Sequence, residues 1–151
     1  MKVLILGMGN LLLADEGVGV HVAHALSNTD LPEGVTVLDI GTAILDALPA
    51  IEKAERIIVV DAVKADGMPG SVYRMSYEDA VRPEVIASMH GFDLSRVLLL
   101  TQRKDAPEVT VIGIEPGQIN WSLDLSPEVE RAIPVVLQAI YDEIRSSSSI
   151  E

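Results

Sequence analysis

Hydrophobic residues in this chain follow two rhythms that alternate along its length. Short, nearly continuous runs rich in Val, Ile and Leu cover Lys2–Leu6, Val35–Ile40, Arg56–Ala62, Ser71–Met75 and Glu108–Ile114. Runs of that length predict strands buried on both faces, as in a parallel sheet. Between them, apolar residues recur every three or four positions and predict helices over Glu16–Ser27, Thr42–Lys53, Phe92–Gln102 and Pro127–Arg145. In the last of these Val129, Ile133, Val136, Leu137, Ile140 and Ile144 share one face, Ser126 is placed to cap and Pro127 suits the first turn. Pro134 lies deeper inside and predicts a kink.

Strands alternating with helices argue for βαβ units and an α/β fold with a mainly parallel sheet. The link from Ala62 to Ser71, with Asp66-Gly67 and Pro69-Gly70, is shorter than the dozen or so residues a parallel crossover needs. The strand over 71–75 is therefore expected to run antiparallel. Ser76–Gly91 reads as a long irregular segment, which in a compact domain is often functional. One domain over 1–151 is expected, with 146–151 as a frayed tail.

The opening, MKVLILGMGNLLLADEGVGV, sharpens this picture. A strand, a Gly7-x-Gly9 turn and a helix are how a dinucleotide-binding unit begins, because glycines let a pyrophosphate approach backbone N–H groups at a helix start. Here position 12 is Leu12 where the third glycine would stand, and Asp15 and Glu16 bring negative charge to the helix start. Such a corner repels phosphate and attracts a cation.

In a parallel sheet, ligands gather beyond the carboxyl ends of the strands. Three groups are expected there: Glu16 after the first strand, Asp61 at the end of RIIVVD, and His90 in SMHGFD. Two carboxylates and an imidazole suit Ni²⁺, Zn²⁺ or Mn²⁺ with open coordination positions. Each has a plainer role open to it. Glu16 can simply favour the helix dipole, and His90 can be a turn residue beside Gly91. Asp61 is harder to dismiss, since an acid ending an apolar strand is costly unless paired or functional. Asp15 is expected to cap the first helix. His21 and His24, three apart, have a spacing that can chelate but flank the apolar face of that helix, so they read as boundary residues. Asp39 reads as a sheet-edge acid, with Gly41-Thr42 at the crevice wall, and Trp121 either packs beneath its loop or offers a contact surface.

Composition narrows the partners. With 23 acidic and 11 basic residues the formal charge is −12, which disfavours nucleic acid and anionic membranes. The absence of cysteine excludes thiolate metal sites and cysteine nucleophiles. The apolar start is broken by Gly7, Gly9 and Asn10 and lacks a small-x-small cleavage site, so no signal peptide is expected. No stretch has the roughly 18 apolar residues of a membrane span. A cytoplasmic location is the expectation. G-x-S-x-G, H-E-x-x-H and P-loop motifs do not occur.

Together GMGNLLLADEGVGV, the acid of RIIVVDAV, SMHGFDL and EPGQINWSLDLSPEVE resemble the hydrogenase maturation proteases across essentially the whole chain. Two positions depart from the family's usual pattern: Asp124 stands where a glycine often precedes L-S-P, and Gly91 follows His90 where some members have glutamine. These bear on which hydrogenase is served. The resemblance implies a three-layer αβα sandwich around a twisted, mostly parallel five-stranded sheet. It implies an endopeptidase that removes the C-terminal extension of a nickel–iron hydrogenase large-subunit precursor after nickel insertion. Glu16, Asp61 and His90 would be its catalytic and metal-reading residues, in either an aspartic-type or a metal-assisted mechanism. Nickel would be largely the substrate's. With only three protein ligands, two of them carboxylates, weak and exchangeable binding by the free protein is expected; the sequence leaves the oligomeric state open, with a monomer the expectation. Two other readings stay open from sequence: a non-catalytic nickel-sensing or metallochaperone domain that binds the precursor, and a flavodoxin-like nucleotide binder.

Overall fold

The computed structural model describes residues 1–80, 82, 105 and 107–148. Strand β1 (Val3–Met8) leads through a 3₁₀ turn (Ala14–Gly17) into helix α1 (Val18–Ser27). Strand β2 (Val35–Gly41) is followed by a second 3₁₀ turn (Ile44–Ala47) and helix α2 (Leu48–Lys53). Then come β3 (Arg56–Ala62), β4 (Val72–Ser76), the one-turn helix α3 (Tyr77–Ala80), β5 (Glu108–Ile114) and the long helix α4 (Pro127–Ser148). The expected helix over 92–102 and His90 lie outside the described residues.

The five strands form one sheet in the order β2-β1-β3-β5-β4. β2, β1, β3 and β5 are parallel, and β4 returns antiparallel along β5 with Val72 opposite Ile114. The short link before β4 dictates that reversal. Alternate residues of each inner strand supply opposite faces of the sheet. Val3, Ile5, Ile58, Val60, Ile112 and Ile114 meet α1 and α4, while Leu4, Leu6, Ile57, Val59 and Val111 meet Ile44, Ala47 and Ile51 on the other side. Both faces are covered. This is the expected α/β sandwich of helices around a mostly parallel sheet.

Regular helix begins later than the periodicity predicts. Pro49, with no N–H and a fixed φ, is tolerated only in a first turn, so α2 opens at Leu48 and the preceding residues wind as 3₁₀. The first helix likewise gives Ala14–Gly17 to a 3₁₀ turn, with Ala14 at φ +52°. α4 runs through Pro134 and continues to Ser148, three residues beyond the predicted end, so Ser146–Ser148 are helical rather than frayed.

The late start of α1 also relocates a glycine. A Cβ on Gly19 would stand 2.2 Å from the Val60 carbonyl oxygen and 2.3 Å from that of Met8. Only a glycine lets the helix press this closely on β1 and β3. That is the packing role of the third glycine in a dinucleotide fingerprint. The glycine absent at position 12 is replaced by one further along, in the first turn of α1.

Candidate active site

All four parallel strands end at one rim, and the acidic residues of the N-terminal motif arrive there through the turn after β1. Gly9 adopts φ +127°, a conformation only glycine takes readily, and its N–H donates to the Gly41 carbonyl at 3.0 Å. A Cβ on Gly9 would stand 2.0 Å from the Glu16 carbonyl oxygen and 3.5 Å from Asp61 Oδ1. The backbone of Glu16 and the carboxylate of Asp61 therefore both lie beside Gly9, over the ends of β1 and β3. Glu16 is half-buried there.

Asp61 is fully buried rather than open in a crevice, and its Oδ1 accepts the N–H of Ala62 at 2.8 Å. Its neighbour across the sheet is Gly113 of β5, and the space a side chain there would take is filled by Val63. His90, the third expected member, falls outside the described residues. Among the described residues no three His, Asp or Glu side chains are gathered as a metal site.

Two further acids shape the rim and were not singled out for these roles by sequence. Asp15 does not cap α1, which has no side-chain cap. It is fully buried and reaches across to the loop before α4. Its Oδ2 accepts the N–H groups of Gly117 and Gln118, both at 2.8 Å, and its Oδ1 accepts the N–H of Ser126 at 2.7 Å. Ser126 Oγ donates to Oδ2 at 2.7 Å, so Ser126 spends its hydroxyl on Asp15. Glu115, just beyond β5, accepts from Ala65 N–H, Gly67 N–H and Tyr73 Oη at 2.8, 2.9 and 2.7 Å. It thereby fixes the β3–β4 loop, and burial, then the hydrogen bond to Glu115 and its charge, raises the Tyr73 pKa. Neither acid could be told from a reactive one by local sequence, because the partners lie far along the chain.

The two histidines of α1 have partners of their own. His24 pairs with Asp39 of β2 at 2.6 Å on the surface. His21 is partly buried, and desolvation, then the charge of His24, lowers its pKa from the ordinary 6.5, against the Leu123 carbonyl, Asp124 and Glu130, which raise it. A recess of about 410 Å³ lies at the opposite, amino-terminal end of the sheet, between Lys2, Leu4, Thr36 and Lys53. It touches none of the acids at the rim.

The fold and rim define an α/β domain with an acidic corner at the carboxyl ends of its strands and a glycine-tightened strand–helix turn. Residues 20–143 match the family model described as hydrogenase maturation protease. The chain is 32% identical over 154 residues to the hydrogenase 2 maturation protease of Escherichia coli (strain K12), covering 97% of this chain and 93% of that one. Its structure is similar to the hydrogenase maturating endopeptidase HybD from E. coli, with a TM-score of 0.82 and 28% identity over 97% of this chain and 94% of that one. It is also similar to the [NiFe] hydrogenase maturation protease HybD from Thermococcus kodakarensis, with a TM-score of 0.79 and 27% identity over 94% and 98% of the two chains. The chain belongs to the hydrogenase maturation protease family and is an endopeptidase. Membership displaces both the metallochaperone and the nucleotide-binding readings. No helix among the described residues is long and apolar enough to cross a membrane.

Proposed function

We propose that this endopeptidase removes the C-terminal extension of a nickel–iron hydrogenase large-subunit precursor in the cytoplasm, and does so only once nickel is in place. The observation that carries this reading is the Gly9 turn, which sets the backbone of Glu16 beside the carboxylate of Asp61, on a rim with no lysine or arginine from the strand-end turns of β1 and β2. Nickel belongs to the substrate. Carboxylate oxygens at this corner, completed by His90, would meet a metal already held by the precursor and so position the adjoining peptide bond. With the corner's own donors few and mostly carboxylate, the free protein holds nickel weakly and exchangeably.

A carboxylate within reach of a water can take its proton as that water attacks the scissile carbonyl. Asp61 is suited to this because it stands at the carboxyl end of β3, where burial removes competing solvent. Glu16, at the same turn, is assigned to grip the metal-bearing segment.

Asp61→Asn and His90→Ala are expected to abolish removal of the C-terminal peptide while leaving thermal unfolding nearly unchanged. Mass spectrometry of the large subunit after incubation with each variant reads this out. Processing at the wild-type rate by either variant would remove that residue from the mechanism.

A further inference from the structure

Beside the acidic corner the protein displays apolar side chains on a loop it takes trouble to hold still. The N–H of Ser122 donates to the Leu12 carbonyl at 3.0 Å, and the N–H of Ala14 to the Ser122 carbonyl at 2.8 Å. These bonds seat the 117–126 loop against the turn that carries Glu16, with Leu13 and Ser122 forming a short bridge. Asp15 locks the same loop from beneath through four hydrogen bonds. Yet on this braced frame Trp121 is 80% exposed, Leu123 59%, Leu12 52% and Ile119 42%. Single exposed apolar residues are ordinary, but four from two interlocked loops make a patch of the kind that marks an interaction site. A tryptophan displayed on a rigid support is the side chain most often found at the energetic centre of an interface.

The charge around the patch says what it takes. Residues 3–52 contain no lysine or arginine, and neither do residues 105–130. Both loops come from these stretches. Glu16, Asp124, Glu128 and Glu130 accompany them, of which the last three are exposed. We infer that Leu12, Ile119, Trp121 and Leu123 form a docking surface for the precursor, receiving a segment that carries an apolar side chain flanked by lysine or arginine. This rests on the proposed function, since the surface adjoins the corner assigned to the reaction. The apolar contact supplies affinity, and the acidic rim speeds and orients encounter. The patch touches no reacting atom, so its contribution is equal in the bound ground state and the transition state. It lowers KM without changing kcat.

The experiment uses nickel-loaded large-subunit precursor and compares the wild type with Trp121→Ser and Leu12→Ser/Trp121→Ser. KM is expected to rise about tenfold or more in the double variant, with kcat within about twofold of wild type. Circular dichroism should show both variants folded, because the side chains removed are solvent-facing. Because Trp121 is the only tryptophan, replacing it with 5-hydroxytryptophan gives a probe that can be excited apart from the precursor's own tryptophans. In Asp61→Asn, which cannot cut, its emission should shift to the blue on adding precursor and revert as salt rises to about 0.5 M, where surface charges are screened. Unchanged KM, or no spectral shift on complex formation, overturns the docking surface. So does a blue-shifted emission in the isolated protein that depends on its concentration, which would assign the patch to a second copy of the chain. So does the same emission independent of concentration, which would assign it to the chain's own residues. A wild type that leaves the precursor uncut would overturn the reading of the active site instead, and the binding shift in Asp61→Asn keeps the two failures apart.

Discussion

Asp15 and Glu16 are adjacent acids that face different partners. Asp15 is sealed inside with four donors on its two oxygens, while Glu16 stays half-exposed at the strand-end rim. Replacing Asp15 with Asn turns an acceptor-only group into one with an N–H₂ that must face N–H donors, so the bonds to Gly117, Gln118 and Ser126 cannot all survive. Urea unfolding should show a loss of about 2–4 kcal/mol; a loss below about 0.5 kcal/mol, the size of an ordinary surface change, would make the network decorative. His21 adds a pH dependence. Its folded pKa is lowered from 6.5, chiefly by desolvation, so the unfolded chain binds the proton more readily. Its contribution is full above the unfolded value of 6.5 and is lost as pH falls toward the lowered folded value. Between about pH 7.5 and 5.5 the wild type should therefore lose more stability than His21→Gln in parallel denaturation curves, and equal slopes would contradict that. The place of Asp61 at the end of a buried strand was legible in sequence because it closes an apolar run, whereas its full burial was not. Asp15 was not, since its donors lie 102 to 111 residues away.

At the scale of elements, the strands were legible because both faces of the inner ones are buried, so apolar residues follow one another with few polar positions between them. The antiparallel β4 followed from the length of its connection. Helix starts were less so. Periodicity reports which face is apolar, but it does not separate a 3₁₀ turn from an α-helix, and Pro49 and the tight Ala14–Gly17 turn moved both starts. The close approach of α1 to the sheet was also hidden, because a glycine in an apolar helix looks only like a weak helix former. Gly19→Ala tests it. With backbone oxygens 2.2 and 2.3 Å from the added carbon, the helix must lift off β1 and β3. A fall in stability of about 1–3 kcal/mol is expected, read as a lower melting temperature. An unchanged or raised melting temperature, as alanine's better helix propensity alone would give, would show that the contact yields freely.

Across the whole molecule, the two ends of the sheet carry different burdens. At the amino-terminal end Glu143 of α4 is buried and paired with Arg56 of β3 and Arg74 of β4, and Arg56 also reaches Thr110 of β5 at 3.2 Å. This ties the last helix to three strands far from the rim. Glu143→Gln leaves the Arg56 guanidinium buried without its counter-charge and should cost about 3–5 kcal/mol in chemical denaturation, while the activity of the molecules still folded is preserved. A large loss of activity per folded molecule would show that the two ends are coupled. At the carboxyl end the strands, the Gly9 turn and the Asp15-braced loop converge near Glu16 and Asp61, the proposed place where a nickel-bearing precursor is cut. The most direct measurement is the C-terminal mass of a large-subunit precursor co-expressed with this protein, with nickel supplied and with nickel withheld. A precursor shortened at its C-terminus is expected only when nickel is supplied, and one left whole in both cultures when Asp61→Asn replaces the wild type. A full-length precursor in both wild-type cultures, or equal shortening without nickel, would contradict it.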